Sequence, residues 1–195
     1  MKIILATHNK NKVTEMQKVL GEVFDDVSVI TATEAGFTED IEENGTTFEE
    51  NALIKARAVR KDGYISVADD SGLCVPALDN APGIYSARYA GEPKSDANNN
   101  ALLLKNLEDK SDRSAFFVSV IACVLPNGEE FTVRGIANGV MLTEQKGQGG
   151  FGYDPLFFFP PLNKTFAELT TDEKNAVSHR GNAIRTFATE LKKHF

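Results

Sequence analysis

The sequence predicts a mixed α/β fold of two lobes, a single domain over residues 1–195 with a central cleft. Two patterns and one absence point there. Early in the chain, apolar strand-like runs alternate with helical periodicity. In the middle, a Phe- and Val-rich run meets its return strand across Asn127-Gly128, a strong hairpin signal. No repeat, low-complexity tract or Pro/Ser linker interrupts the 195 residues. A cleft between lobes is the default place for a ligand.

In order, Lys2 to Thr7 reads as a buried strand that hands over to a polar turn. Val13, Met16 and Leu20 recur at helical spacing, with Gly21 as the expected C-terminal cap. A second strand is expected near Val27 to Thr31. Thr47, with Glu50 three residues later, has the pattern of a capping box. It opens a helix carrying Phe48, Ala52, Ala56 and Val59 along one side. Tyr64 to Ala68 is a strand that ends at Asp69-Asp70-Ser71-Gly72. Ala101 to Leu107 suits a short helix, Ser114 to Leu125 a strand, and Glu129 to Ala137 its return. A glycine-rich loop follows from Gly147 to Gly152. Ile184, Phe187, Ala188 and Leu191 then mark one face of a C-terminal helix.

Composition bounds the function. With 42% hydrophobic and 25% charged residues, the chain is an ordinary globular protein. A net charge of -7 argues against a long nucleic-acid partner. The longest mostly apolar run, Ala115 to Leu125, is far below a membrane span, so no membrane association is expected. Cys74 and Cys123 form no C-x-x-C pair, which excludes a disulfide framework and a zinc spacing. Buried thiols in a reducing, cytoplasmic compartment are expected. The acidity is also local. Ten acids and no Lys or Arg lie between Lys18 and Lys55, leaving the remainder net +3.

Five constellations have the residue types for chemistry. Thr7-His8-Asn9-Lys10-Asn11-Lys12 sits where a strand hands over to a helix, a junction that attracts anions through free N–H groups and the helix dipole. It lacks the glycines and G-K-[ST] of a P-loop. Asp69 and Asp70 are adjacent carboxylates at the expected strand end, where open α/β sheets collect ligands. Side chains alternate on a strand, so one acid can face a metal while its neighbour holds backbone or a lysine. Glu42 and Glu43 precede the helix bearing Asn51 and Lys55, and acidic oxygens of this kind suit Mg²⁺. In Gly147 to Pro155, Phe151 offers a flat face for a base, and Asp154 an acceptor for a base N–H. Lys174, His179 and Arg180 are clustered donors just before the last helix. Together they are the parts of a nucleoside triphosphate site, although each alone also has an ordinary structural reading.

On these residues the sequence closely resembles the inosine triphosphate pyrophosphatase family, the dITP/XTP pyrophosphatases that remove non-standard purine nucleotides. The blocks are A-T-x-N-x-x-K, T-F-x-E-N-A-x-x-K-A, A-D-D-S-G-L, A-P-G-I-Y-S-A-R-Y, G-x-G-G-F-G-Y-D-P and S-H-R-G. All six occur in that order from Ala6 to Gly181. His8 departs from many relatives, which carry a small or amide residue there.

The resemblance implies the two-lobed α/β fold, a homodimer and Mg²⁺ as cofactor. It implies hydrolysis of ITP, dITP or XTP between the α and β phosphates, giving the monophosphate and pyrophosphate. Carried over, the loop of Thr7, His8, Asn9, Lys10, Asn11 and Lys12 cradles phosphates. Asp70 is the metal-associated proton acceptor, Asp69 and Lys55 complete the catalytic set, and Glu43 joins Asp70 as metal ligand. Ser71 contacts substrate, Phe151, Gly152, Tyr153 and Asp154 surround the base, and Lys174, His179 and Arg180 close over it. A Maf-like pyrophosphatase and a non-catalytic nucleotide-binding regulator are the competing readings. A single nucleotide carried in with magnesium is compatible with the net negative charge.

Overall fold

In the computed structural model, which describes residues Met1–Phe195, the first apolar run is strand β1 (Lys2–Leu5), with Ile3, Ile4 and Leu5 all buried. Asn9 caps helix α1 (Lys10–Gly21), its side-chain oxygen accepting from the Asn11 N–H at 2.9 Å. Gly21 is the last helical residue rather than the cap. Glu22 holds the cap position in right-handed conformation, so no left-handed glycine is needed. Strand β2 (Ser28–Thr31) pairs with β1 in parallel.

Helix α2 (Phe48–Ala58) begins at Thr47 as predicted, the Thr47 hydroxyl accepting from the Glu50 N–H at 3.1 Å. The return bond of the capping box is displaced by one residue. The Glu50 carboxylate takes the N–H and hydroxyl of Thr46, at 2.6 and 2.8 Å.

Strand β3 (Ile65–Val75) corrects the sequence reading. Asp69-Asp70-Ser71-Gly72 lies mid-strand rather than at a strand end. Parallel pairing with β1 covers Ile65–Val67 only, and the chain stays extended because Leu73, Cys74 and Val75 are themselves buried. Cys74 and Val75 then pair with β4 (Ala81–Pro82). The acidic pair therefore stands where β1 has ended.

Helix α3 (Asp96–Asn106) starts five residues before the predicted Ala101, because the Ser95 hydroxyl caps it by accepting from the Asn98 N–H. Strands β5 (Ser114–Val124) and β6 (Glu130–Met141) form the predicted hairpin, closed where Leu125 and Glu129 bond across Asn127-Gly128. Strands β7 (Phe157–Phe159) and β8 (Lys164–Thr165) follow, then helices α4 (Thr171–Val177) and α5 (His179–Leu191). His179 and Arg180, expected just before the last helix, are its first residues.

The sheet order is β2-β1-β3-β5-β6-β7-β8, with β4 on β3, giving eight strands of mixed direction. The chain divides into two units. The first comprises Met1–Asp70, Ser119–Gly135 and Asn182–Phe195; the second comprises Ser71–Val118 and Ile136–Gly181. In the first, Ile3, Leu5, Val67 and Ile121 pack with Leu20 of α1 and Phe187 of α5. Ile4 points to the opposite face, among Ala32, Ala35 and Val59, as the period-2 pleat requires. The second unit has an aromatic core in which Phe117 and Phe166 flank Phe157 at 4.6 and 4.7 Å between ring centres. No helix is long and apolar enough to cross a membrane.

Candidate functional site

In the first unit, β3 presents Asp69 and Asp70 in alternating directions. Asp69 is buried and accepts from the Lys12 ammonium with both oxygens, at 3.0 and 2.9 Å. Lys12 lies on the first turn of α1. The turn before it is wound tightly: the Asn9 N–H donates to the Thr7 hydroxyl at 3.1 Å, and Asn9 receives Asn11. His8 is exposed, its Nδ1 2.7 Å from the Thr33 hydroxyl and its Nε2 4.0 Å from Asp40. Lys10 and Asn11 are exposed on the same turn. Asp69, expected in the catalytic set, holds the Lys12 ammonium in place.

Asp70 heads a second cluster. Its Oδ1 lies 3.3 Å from the Lys55 ammonium, which is also 3.3 Å from Glu43 Oε1. Glu43, rather than its neighbour Glu42, therefore shares a cation with Asp70. The Asp70 carboxyl is raised to about 6, chiefly by burial. Lys55 opposes the shift, Glu43 adds to it, and the Asn51 amide opposes it more weakly. The loop carrying Glu43 is fixed from α2: the Gly45 N–H donates to Asn51 Oδ1 at 2.8 Å. A Cβ at Gly45 would stand 2.7 Å from that oxygen, so the loop approaches α2 this closely only with glycine.

Asp70 Oδ2 is buried with no hydrogen-bond partner. An acceptor-only oxygen left bare beside a two-carboxylate cluster that already converges on an ammonium suits an added hard cation. No group of three or more His, Cys, Asp or Glu could hold a metal. The donor set thus fits an ion that completes its shell with water and phosphate oxygens rather than one in a closed protein cage.

The second unit holds a pocket of about 180 Å³ lined by Ser71, Phe117, Phe151, Tyr153, His179 and Arg180, among others. His179 stacks on Phe117 at 4.7 Å and 15°, which orients its imidazole. Phe151 is 63% exposed, and the Lys174 ammonium stands 4.5 Å from the centre of its ring. Lys174 is ion-paired with Asp154, whose Oδ2 also accepts from the Phe151 N–H at 3.0 Å. Through that oxygen Asp154 also shapes the loop. The Tyr153 hydroxyl donates to the Ser86 carbonyl at 2.6 Å, and burial raises its phenol. Gly150 has φ +71°, and a Cβ there would run into the Asp154 carboxylate.

The expected residues therefore fall into two groups. Thr7 to Lys12, Glu43, Lys55, Asp69 and Asp70 belong to the first unit, and Ser71, Phe151 to Asp154, Lys174, His179 and Arg180 to the second. Strand β3 passes from one to the other at Asp70-Ser71. Sequence reasoning missed Phe117, which supports His179, together with Ser86 and Asp96 on the pocket wall. Phe117 looks like any strand-core aromatic. Ser86 lies inside the recognised A-P-G-I-Y-S-A-R-Y block, which was its one available signal.

The Ham1 family model matches residues 3–190. A dITP/XTP pyrophosphatase of Exiguobacterium sibiricum is 51% identical over 194 residues, covering 98% of this chain and 97% of that protein. Among solved structures, the Ham1 protein of Staphylococcus aureus has a TM-score of 0.92 and 42% identity, with 100% of both chains covered. A HAM1 protein of Coxiella burnetii gives 0.91 and 44%, over 99% of each. With a match of this extent in sequence and in fold, the chain belongs to the Ham1 family.

Proposed function

We propose that this chain hydrolyses the non-standard purine nucleoside triphosphates dITP, XTP and ITP to the monophosphate and pyrophosphate. The observation that carries the reading is the Glu43–Lys55–Asp70 cluster with its bare buried oxygen, in a chain 51% identical to a dITP/XTP pyrophosphatase.

Water attacks the α-phosphorus, a new P–O bond forms there, and the bond to the oxygen bridging α and β breaks. The electron pair leaves on pyrophosphate. Asp70 orients the water and accepts its proton. Lys55 and Lys12 hold the phosphate oxygens and offset the charge gathering on the leaving group. The first turn of α1, opened by Thr7 and Asn9, adds N–H groups and the positive end of its dipole. Glu43 and Asp70 would hold Mg²⁺, which when bound neutralises phosphate charge and lowers the pKa of water.

Phe151 stacks on the base, and His179 and Arg180 donate toward its 6-position. Hypoxanthine and xanthine carry an oxygen acceptor there, whereas adenine carries an amino donor that would face donors. Mismatched polar groups in a closed pocket discriminate by orders of magnitude. A homodimer in the cytoplasm completes the reading.

The test is pyrophosphate release from XTP, dITP, ITP, GTP and ATP, each with and without Mg²⁺. Mg²⁺-dependent turnover is expected for the first three, with kcat/KM at least about 100-fold lower for ATP. Orthophosphate as the product, or no release from XTP, would overturn it. Light scattering of the purified chain should give twice the chain mass.

A further inference from the structure

Helix α3 carries no motif, yet two of its side chains grip the backbone of one residue in the glycine-rich loop, on both sides of its Cα. Asp96 Oδ2 accepts from the Gly152 N–H at 2.8 Å, and Asn100 Nδ2 donates to the Gly152 carbonyl at 2.9 Å. The two residues are four apart, hence stacked on one helical face. Gly152 follows the exposed Phe151 directly and precedes Tyr153, whose hydroxyl is tied to Ser86. Asp96 also lines the pocket that Phe151 lines.

Asn100 is a costly residue for packing. The residue is 3% exposed, and its Oδ1 is buried without a hydrogen-bond partner. A buried amide with half its polar atoms unsatisfied is a destabilising choice for a helix face, where leucine would serve the core better. Its single visible return is the bond to Gly152. Asp96 shows the same logic in a milder form. An exposed first-turn acid serves the helix dipole without a loop contact, yet here it is turned onto a loop amide.

We infer that Asp96 and Asn100 are positioning residues for base recognition: a two-point clamp on Gly152 that fixes Phe151 for stacking on a purine. The inference rests on the purine pyrophosphatase reading for its consequence, though not for the clamp itself. The N–H and the carbonyl of Gly152 belong to the two peptide planes that flank its Cα, and each is held, so neither plane can rotate without losing a bond. The Phe151 carbonyl lies in the first of these planes, the one Asp96 holds, and its side chain has little burial to fix it. A loop held this way presents its ring without an ordering step on binding.

The experiment uses the full chain and the variants Asp96→Ala, Asp96→Asn and Asn100→Leu. Hydrogen exchange of the 150–154 segment reads the clamp. Steady-state kinetics with XTP reads its consequence, and inhibition by inorganic tripolyphosphate reads the phosphate end alone. Asp96→Ala and Asn100→Leu should speed Gly152 exchange at least about tenfold. They should raise KM for XTP at least about fivefold with kcat within about twofold, and leave tripolyphosphate inhibition unchanged. Asp96→Asn keeps an acceptor oxygen and should restore both readouts. Unchanged exchange in Asp96→Ala, an exposed site where folding is not at stake, overturns the clamp. Faster exchange with an unchanged KM overturns its role in base binding. Parallel weakening of XTP and tripolyphosphate would mean a general structural defect and also overturn it. Absence of XTP hydrolysis by the unaltered chain defeats the pyrophosphatase reading alone, with exchange still deciding the clamp.

Discussion

Lys12 meets Asp69 with its ammonium 3.0 and 2.9 Å from the two carboxylate oxygens, a forked ion pair between the first turn of α1 and mid-strand β3. The pair is poorly solvated, with side-chain exposures of 27% and 7%. A carboxylate this enclosed is weakly screened, so it fixes the ammonium firmly. Asp69 thus acts through Lys12, while its neighbour Asp70 faces the Lys55 cluster. Asp69→Asn should raise KM for XTP at least about tenfold, and Lys12→Ala should do the same. The double variant should lose little more than either single one, because contacting residues are not additive. Additive losses in a double-mutant cycle would show that Asp69 has work independent of Lys12.

Asp70→Asn separates function from stability. Turnover should fall at least about 100-fold while nucleotide binding persists, because the water loses its proton acceptor. The metal-free protein should become more stable at neutral pH. Burial lifts the Asp70 carboxyl to about 6 in the folded chain, above its ordinary value of 3.8. The folded state therefore holds the proton more tightly than the unfolded state, and stability falls as pH rises between those values. Asparagine removes that loss, a gain of about 1–3 kcal/mol above pH 6 that vanishes below pH 4. Thermal melts in chelator at pH 4 and pH 8 measure it. A variant less stable than the unaltered chain at pH 8 would contradict the burial argument.

Local chemistry made much of this legible in the sequence, and tertiary partners account for the rest. Thr47 caps α2 because a hydroxyl three residues before a free N–H needs nothing from elsewhere in the chain. Asn127-Gly128 closes its hairpin for the same reason, with Gly128 at φ +91°. The division of labour between Asp69 and Asp70 was open, since alternation says they differ but not which lysine each will meet. Lys12 is 57 positions from Asp69, and Lys55 is 15 from Asp70. The mid-strand location of the acids was hidden as well. Asp, Ser and Gly read as a turn, and only burial of Leu73 to Val75 keeps them extended. Asp96 and Asn100 carry no signal in the sequence, because their partners are the backbone N–H and carbonyl of a residue 56 and 52 positions away.

Arg180→Ala should narrow the preference for XTP over ATP. Arg180 begins α5 beside His179, whose ring is stacked on Phe117, and both line the pocket with Phe151. A guanidinium is an obligate donor, welcoming a 6-oxygen and opposing a 6-amino group. Its removal should reduce kcat/KM for XTP by about tenfold or more while ATP changes little. Competition assays with both nucleotides give the ratio directly. An unchanged ratio would move base selection to other groups.

Gly150→Ala tests whether loop shape, apart from side-chain chemistry, sets base affinity. Gly150 has φ +71°, a conformation that costs alanine about 1–2 kcal/mol. The added methyl would also press on the Asp154 carboxylate, which bonds the Phe151 N–H and pairs with Lys174. To relieve the clash, Asp154 must give up at least one of those partners, and Lys174 then loses its station over the Phe151 ring. The core of the second unit does not include Gly150, so the fold should persist with a melting point lower by several degrees. KM for XTP should rise at least about tenfold, and Asp70-dependent turnover at saturation should stay within about threefold. The Asp154–Lys174 pair and the Gly150 backbone stand or fall together in this variant. A normal KM would show that the loop reaches its binding shape without them.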